Sequence, residues 1–450
     1  MCSSDLAMAA PVTKWSTQVE SADEMDEVMR RAFKIANDPP YGPVFVALPI
    51  NVMEQETQNG AVAPGRLYRE SAPDARAIVE MAALIQAAHA PVIVVGDDVA
   101  RGDAVNDLVC LAETIGAPVW FEGIRGHASF PGAHAHACGN LPFDAAAIRK
   151  SFGEADLALL LGGAFFEEIW FSPGSPFPVG AKVLQIETSA ATLAHNFALD
   201  VGLVAGMGAA LRALNDAMTA NADSAWHAAA RSRSMQLAEK KSADTAAYEA
   251  RRAKAWARMP VSMPRVMAEL RRATPADALI VEESITASID FAAAFAGETA
   301  EPILGARGGG IGQGLAGAIG AALSHAGSAG QPGRPVLCVS GDGSAMYSIQ
   351  ALWTAVHHNL PIVFVILANR EYRVLKHNLD LYRQRFDAAS SNPYPQMDLN
   401  APAMGFVEMA AGMGVPAVRV SEPDQIGAAL SAAFAARAPR LVEIVIEGKR

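Results

Sequence analysis

Three features of the 450-residue sequence predict an α/β protein with two doubly wound, parallel-sheet domains. Short apolar runs recur along the chain, among them PVIVVG, DLALLLGG, PVLCVS and PIVFVIL, and these read as buried strands. Between most of them lie segments whose apolar residues return at helical spacing. Many of the runs end in Gly, Asp, Ser or Asn, the punctuation of a strand that crosses over through a helix.

The elements follow in order. In SADEMDEVMRRAFKIAND, Ser21 can cap a helix whose apolar positions are Met25, Val28, Met29, Ala32 and Phe33. GPVFVALPINV then reads as a strand leaving through Pro49. From Asp74 the rhythm is regular: helix DARAIVEMAALIQAAHA, strand PVIVVG, a helix to about Thr114, strand PVWF, a loop, a helix to about Phe152, strands DLALLLGG and KVLQIE, and a helix from Met207 to about Met218. Residues 221–257 are rich in Ala, Lys, Arg and Glu and read as a helical linker. From 258 to 450 the alternation resumes with helix MPRVMAELRRA, strand ALIVEES, a helix through Phe295, a glycine cluster, helix GLAGAIGAALSHA, strand PVLCVS, helix SIQALWTAVHHN and strand PIVFVIL. Helix DQIGAALSAAFAA and strand LVEIVIE close the chain.

Composition narrows the class. The chain is 51% hydrophobic and 18% charged, with net charge −11, which points to a globular enzyme with no nucleic-acid partner. The longest apolar stretches fall short of the roughly 18 residues of a membrane span. Cys2, Cys110, Cys138 and Cys338 stand apart with no CxxC pair, and no apolar leader opens the chain, so a cytoplasmic setting is expected. Cys2-Ser3-Ser4-Asp5-Leu6 is the string a common short-read sequencing adapter gives when translated in one frame. The first six residues are therefore expected to be non-coding and the gene to be cut there.

In VSGDGSAMYSIQALWTAVHHNLPIVFVILANREY, two strand-like runs end in turns that carry Asp342, between Gly341 and Gly343, and Asn369. If those strands are neighbours, a carboxylate and an amide oxygen converge beyond their carboxyl ends, a hard-oxygen pair suited to Mg²⁺ and a diphosphate. The two glycines let backbone approach closely, and Ser344 adds a hydroxyl and amides. A bare GDG is ordinary turn chemistry. Gly312, Gly314 and Gly317 satisfy GxGxxG, but no strand is read as running directly into them. Ser284 and Thr286 follow strand ALIVEES, where either could cap the next helix. His127, His134, His136 and Cys138 fall in a Gly/Pro loop and read as solvated loop residues, while His357 and His358 sit at a helix end.

The spacing of Asp342 and Asn369, with one helix and one strand between them, resembles the diphosphate motif of the thiamin diphosphate enzymes. KWS, GPVFVALP, IGAPVW, PADALIVEES, GDGSAMYSIQALWTA and NLPIVFVI extend the likeness over nearly the whole chain, in the pattern of benzoylformate decarboxylase and acetolactate synthase-like proteins. The resemblance implies that Asp342, Asn369 and the Glu371 carbonyl hold Mg²⁺, the Glu371 side chain being free to vary. The motif's first asparagine is Ala368 here. Ser284, Thr286, Gly341, Gly343, Ser344 and Tyr347 would contact thiamin diphosphate, Ile311 would prop it into a bent shape, and the Gly309 carbonyl would accept from its aminopyrimidine. Val374 and Leu375 match apolar pocket positions. Ile169 stands where benzoylformate decarboxylase has an active-site histidine.

Family members have three α/β domains. On that plan residues 1–58 are the tail of the pyrimidine-binding domain, 72–220 the middle domain and 258–450 the diphosphate-binding domain. The glutamate that activates the cofactor would lie in the missing part, so a truncated chain, inactive alone, is expected. The implied function is decarboxylation or carboligation of a small 2-oxo acid by a homodimer or homotetramer. A non-catalytic fragment or partner subunit and a dinucleotide-binding oxidoreductase are the alternatives.

Overall fold

The computed structural model describes residues 2–63, 65–166, 173–221, 223–297, 303–305, 308, 310–325, 333–390 and 394–448. Among them no helix is long and apolar enough to cross a membrane.

The N-terminal segment is small. Strands β1 (Trp15–Gln18) and β2 (Val44–Ala47) pair in parallel beside helix Met25–Asn37, which continues a 3-10 turn, Ala22–Glu24, that carries a capping box formed by Ser21 and Glu24. Val19, Val28 and Val52 form its core, whereas Phe33, on the same predicted stripe, is 65% exposed.

The middle sheet contains β3 (Pro91–Val95), β4 (Val119–Phe121), β5 (Ala137–Asn140), β6 (Leu157–Leu161), β7 (Lys182–Glu187) and β8 (Val201–Val204), all parallel, in the order β5-β4-β3-β6-β7-β8. This is a doubly wound arrangement whose direction of growth reverses between β3 and β6. Both faces are packed. Ile93 and Val95 join one core with Leu157, Leu159 and Leu161, while Val92 and Val94 join the other with Ala158 and Leu160.

Helix Ser224–Ala255 follows, 32 residues with Ala230 as its buried residue, seated where the Gly116 turn leaves room for the Ala230 backbone. The C-terminal sheet contains β9 (Leu279–Glu283), β10 (Ile303–Gly305), β11 (Val336–Gly341), β12 (Ile362–Ala368), β13 (Ala417–Val420) and β14 (Arg440–Val445). It is again all parallel, in the order β10-β9-β11-β12-β14-β13, and reverses between β9 and β11. β12 is buried at every residue. Val363, Val365 and Leu367 face one core, and Ile362, Phe364 and Ile366 the other. That two-sided burial is why PIVFVIL is apolar throughout.

Several elements depart from the sequence reading. The loop expected around residue 137 contains β5, and β8, β10 and β13 were not expected; all four are the outer strands of their sheets. Helix Arg373–Phe386, also unexpected, follows the Asn369 turn. His136 is not solvated: it is buried, its Nδ1 lies 2.9 Å from the Ala117 carbonyl, and burial lowers its pKa. His134 Nε2 lies 3.2 Å from Glu113.

Candidate cofactor site

The carboxyl ends of β9, β11 and β12 lie side by side at the reversal point of the C-terminal sheet. Gly341 pairs with Leu367 in the β11–β12 ladder, so the chain beyond each strand brings Asp342 and Asn369 to the same edge. A turn of helix, Asp342–Ala345, starts at the aspartate.

Asp342 is 3% exposed. One carboxylate oxygen accepts the N–H of Gly343 at 2.8 Å and the other that of Arg370 at 2.7 Å. Burial pushes its pKa up to about 6, the backbone hydrogen bonds draw it down, and the nearby Glu371 charge raises it. Each oxygen keeps a lone pair beyond its one hydrogen bond. Asn369 Oδ1 accepts the N–H of Glu371 at 3.0 Å and likewise keeps one. The chain passes close here: a Cβ at Gly448 would lie 2.3 Å from the Asn369 carbonyl oxygen, so only glycine fits.

The Glu371 side chain is not free to vary as expected. It is buried and accepts a charge-assisted hydrogen bond from Lys376 Nζ at 2.6 Å, and Lys376 also reaches Asp398 at 2.6 Å. Lys376 is close in sequence, in the first turn of helix Arg373–Phe386, but Asp398 is 22 residues further on and only folding brings it near.

A cavity of about 1290 Å³ opens at this edge. Ser284, Thr286, Gly341, Asn369, Glu371 and Val374 line it. Helix Arg373–Phe386 forms one wall, and the middle-domain loop Leu141–Asp144 supplies another that sequence reasoning did not anticipate. Leu375 is not among the lining residues and is 46% exposed. Ser344 is buried. Ile311 is 39% and Tyr347 66% exposed. Gly309 and Ile169 lie outside the described residues.

The glycine cluster has an unexpected partner. Glu283, 1% exposed at the end of β9, accepts the N–H groups of Gly312 (2.7 Å), Gln313 (3.1 Å) and Gly314 (3.1 Å), and the Ser340 hydroxyl at 3.4 Å. A protein carboxylate thus takes the helix-start amides that a dinucleotide phosphate would need. The short strand β10 does precede this cluster, contrary to expectation, but as an edge strand it does not occupy the central place of a dinucleotide-binding strand. Gly312 has φ +100° and its missing Cβ would stand 2.3 Å from the Tyr347 Cβ, which packs the loop against the turn after Asp342.

In the middle sheet the reversal point is similarly closed. Glu122 accepts the N–H groups of Ala164 and Phe165, both at 2.9 Å, and Glu187 accepts that of Gly163 at 3.4 Å. These turn amides are spent on the protein itself.

The residue types fit a diphosphate-bound Mg²⁺: the buried Asp342 carboxylate, with an amide oxygen and a turn carbonyl from Asn369 and Glu371, which line the cavity. Among the described residues no three His, Cys, Asp or Glu side chains cluster as a metal cage, so a metal here would depend on other oxygens for the rest of its shell.

Comparison with known proteins bears on this site. Residues 297–444 match the family described as thiamine pyrophosphate enzyme, C-terminal TPP binding domain, and residues 78–214 match thiamine pyrophosphate enzyme, central domain. Benzoylformate decarboxylase of Pseudomonas aeruginosa is 29% identical over 438 residues, covering 96% of this chain and 76% of that protein. Acetolactate synthase isozyme 1 large subunit of Escherichia coli is 26% identical over 455 residues, covering 98% and 74%. The crystal structure of benzoylformate decarboxylase from Polynucleobacter necessarius superposes with TM-score 0.82 at 23% identity, covering 99% of this chain and 78% of that one, a likeness of fold.

Proposed function

We propose that this chain, which belongs to the thiamine pyrophosphate enzymes, is the diphosphate-gripping part of a Mg²⁺-dependent 2-oxo acid decarboxylase or carboligase. The observation that supports this best is the convergence of Asp342 and Asn369 at the ends of neighbouring central strands, with Asn369 and Glu371 lining a large cavity.

In this reading Asp342, Asn369 and the Glu371 carbonyl hold Mg²⁺, and Ser284, Thr286 and the Gly341 to Ser344 turn meet the diphosphate, the Gly343 N–H being held by Asp342 and the Ser284 N–H and hydroxyl by Glu282 in this structure. By resemblance the Gly309 carbonyl would accept from the aminopyrimidine, Ile311 would prop the cofactor's bend, and Tyr347 would contact the cofactor. Thiamin diphosphate supplies a carbon nucleophile able to attack a 2-oxo acid and accept the electrons left by CO₂. The chain's own contribution is orientation and exclusion of water. Buried Asp342 is held in place by two backbone donors, and the Lys376 ion pair fixes the Glu371 carboxylate. Val374, with Leu141, Phe143 and Ile289, gives the cavity apolar wall suited to an uncharged substrate side chain.

Binding of the cofactor without robust turnover is the behaviour expected of this chain by itself. A homodimer or homotetramer is the expected assembly. Titration calorimetry with thiamin diphosphate plus Mg²⁺, set against NAD, tests the reading: metal-dependent binding of the former is expected, and Mg²⁺-independent NAD binding would overturn it. CO₂ release from a panel of 2-oxo acids tests the expected lack of turnover, and light scattering the assembly.

A further inference from the structure

Residues 394–399 lie along the Asn369 turn as a short strap, and the strap's backbone reaches both peptides that flank Glu371. The Leu399 N–H donates to the Arg370 carbonyl at 2.8 Å, and the Tyr372 N–H donates to the Met397 carbonyl at 2.9 Å. A trans peptide unit is planar, so its C=O and N–H point in opposite directions. Pinning the Tyr372 N–H to Met397 therefore turns the Glu371 carbonyl, the other end of the same peptide, away from the strap. The second bond holds Arg370, whose own N–H donates to Asp342 at 2.7 Å. The strap also meets the opposite arm of the site: a Cβ at Gly343 would lie 3.1 Å from the Tyr372 ring and 3.9 Å from Leu399 Cδ1.

This pairing sets two like charges face to face. Glu371 and Asp398 stand opposite one another in an antiparallel bridge, and the hydrogen bonds run between their neighbours. That is the non-hydrogen-bonded kind of pair, in which side chains come closest, and opposed carboxylates there repel. Lys376 meets both: its Nζ lies 2.6 Å from Glu371 Oε2 and 2.6 Å from Asp398 Oδ1, and 5.3 Å from the centre of the Tyr394 ring. The Lys376 side chain is 14% and that of Glu371 7% exposed, so salt screens their contact little. The Tyr394 hydroxyl reaches both carboxylate oxygens of Asp380, at 2.8 and 2.9 Å, which ties the strap to helix Arg373–Phe386 as well. We propose that Lys376 is a positioning residue for the metal: by neutralising Glu371 and Asp398 together it keeps the strap on the turn, and the strap directs the Glu371 carbonyl to Mg²⁺. Without the lysine the two carboxylates push the strap away and the Glu371 peptide loses its anchor. The inference rests on the cofactor reading above.

The test uses the full chain as wild type, Lys376→Met, Lys376→Arg, Leu399→Pro and the Lys376→Met/Glu371→Gln double variant. Leu399→Pro removes the strap's N–H donor without altering a charge, and it decides the matter alone if Lys376→Met does not fold. Mg²⁺ is titrated at fixed thiamin diphosphate and the bound cofactor is measured by ultrafiltration. The Mg²⁺ midpoint is expected to rise about tenfold in Lys376→Met and about fivefold in Leu399→Pro, and to stay within about threefold in Lys376→Arg and the double variant. Saturating Mg²⁺ should restore cofactor affinity in every variant, which a merely structural loss would not do. An unchanged midpoint in Lys376→Met or in Leu399→Pro would overturn the proposal. So would a double variant as impaired as Lys376→Met, because the lysine would then act as a bare charge on the anion. Failure of the wild type to bind would instead overturn the assignment of Asp342 and Asn369. The strap is then read without cofactor by hydrogen exchange, where the Tyr372 and Leu399 amides should exchange faster in Lys376→Met; unchanged protection overturns the lysine's hold on it.

Discussion

The carboxylate of Asp342 accepts the backbone N–H of Arg370 at 2.7 Å, lacing the turn after β11 to the turn after β12. This bond sets the distance between the two side chains read as metal ligands. Asp342→Ala should therefore do two things. Cofactor binding measured with Mg²⁺ should fall by at least about a hundredfold, and stability in urea by about 1–2 kcal/mol, since two buried N–H groups lose their acceptor. A loss of stability with unchanged cofactor affinity would leave the aspartate as turn structure alone.

Glu283 organises the glycine cluster. Glu283→Gln keeps one acceptor oxygen but turns an amino group toward the N–H of Gly314 and removes the charge that faces a helix start. The expected cost is about 1–3 kcal/mol, and the amides of Gly312 to Gly314 should exchange faster in hydrogen-exchange mass spectrometry. Unchanged protection at those residues would show that the carboxylate is dispensable there.

Lys376→Met would leave the Glu371 carboxylate buried without its cation, close to Asp342. A loss of about 2–3 kcal/mol is expected, and Glu371→Gln in the same chain should recover most of it. If the double variant is no more stable than Lys376→Met, the pair is not the source of the effect.

Glu187 gives a pH signature. Burial is the largest cause raising its pKa, from 4.5 to about 7, with Gln185, Gly163 and Thr192 opposing and Asp98 assisting. The folded chain thus holds a proton that the unfolded chain releases, so stability from this group is full below about pH 4.5 and is lost as pH rises through about 7. The gap is worth at most about 3 kcal/mol. Thermal midpoints of wild type should fall between pH 5 and 8 more steeply than those of Glu187→Gln; parallel curves would remove Glu187 as the cause.

Much of this was legible in the sequence because central parallel strands are buried on both faces and so must be apolar at every position: PVIVVG, DLALLLGG, PVLCVS and PIVFVIL are such strands. The GDG turn and Asn369 were legible for a related reason, since the ends of central strands admit few residues. The four outer strands β5, β8, β10 and β13 were not. Each has one pairing partner and exposed or half-exposed positions, so ACGN, VGLV, ILG and AVRV carry no apolar run to read.

By itself, then, the sequence determined the sheet class, most of the helices between the strands and the residue types at the central strand ends, because each depends on a local periodicity or a local turn. The tertiary structure alone decided that β11 adjoins β12, that Glu283 reaches the amides of Gly312 to Gly314 some thirty residues away, that Lys376 finds Asp398, and that the middle domain supplies a cavity wall. Those contacts join positions far apart along the chain, and no periodicity in a single sequence encodes which distant carboxylate will meet which amide.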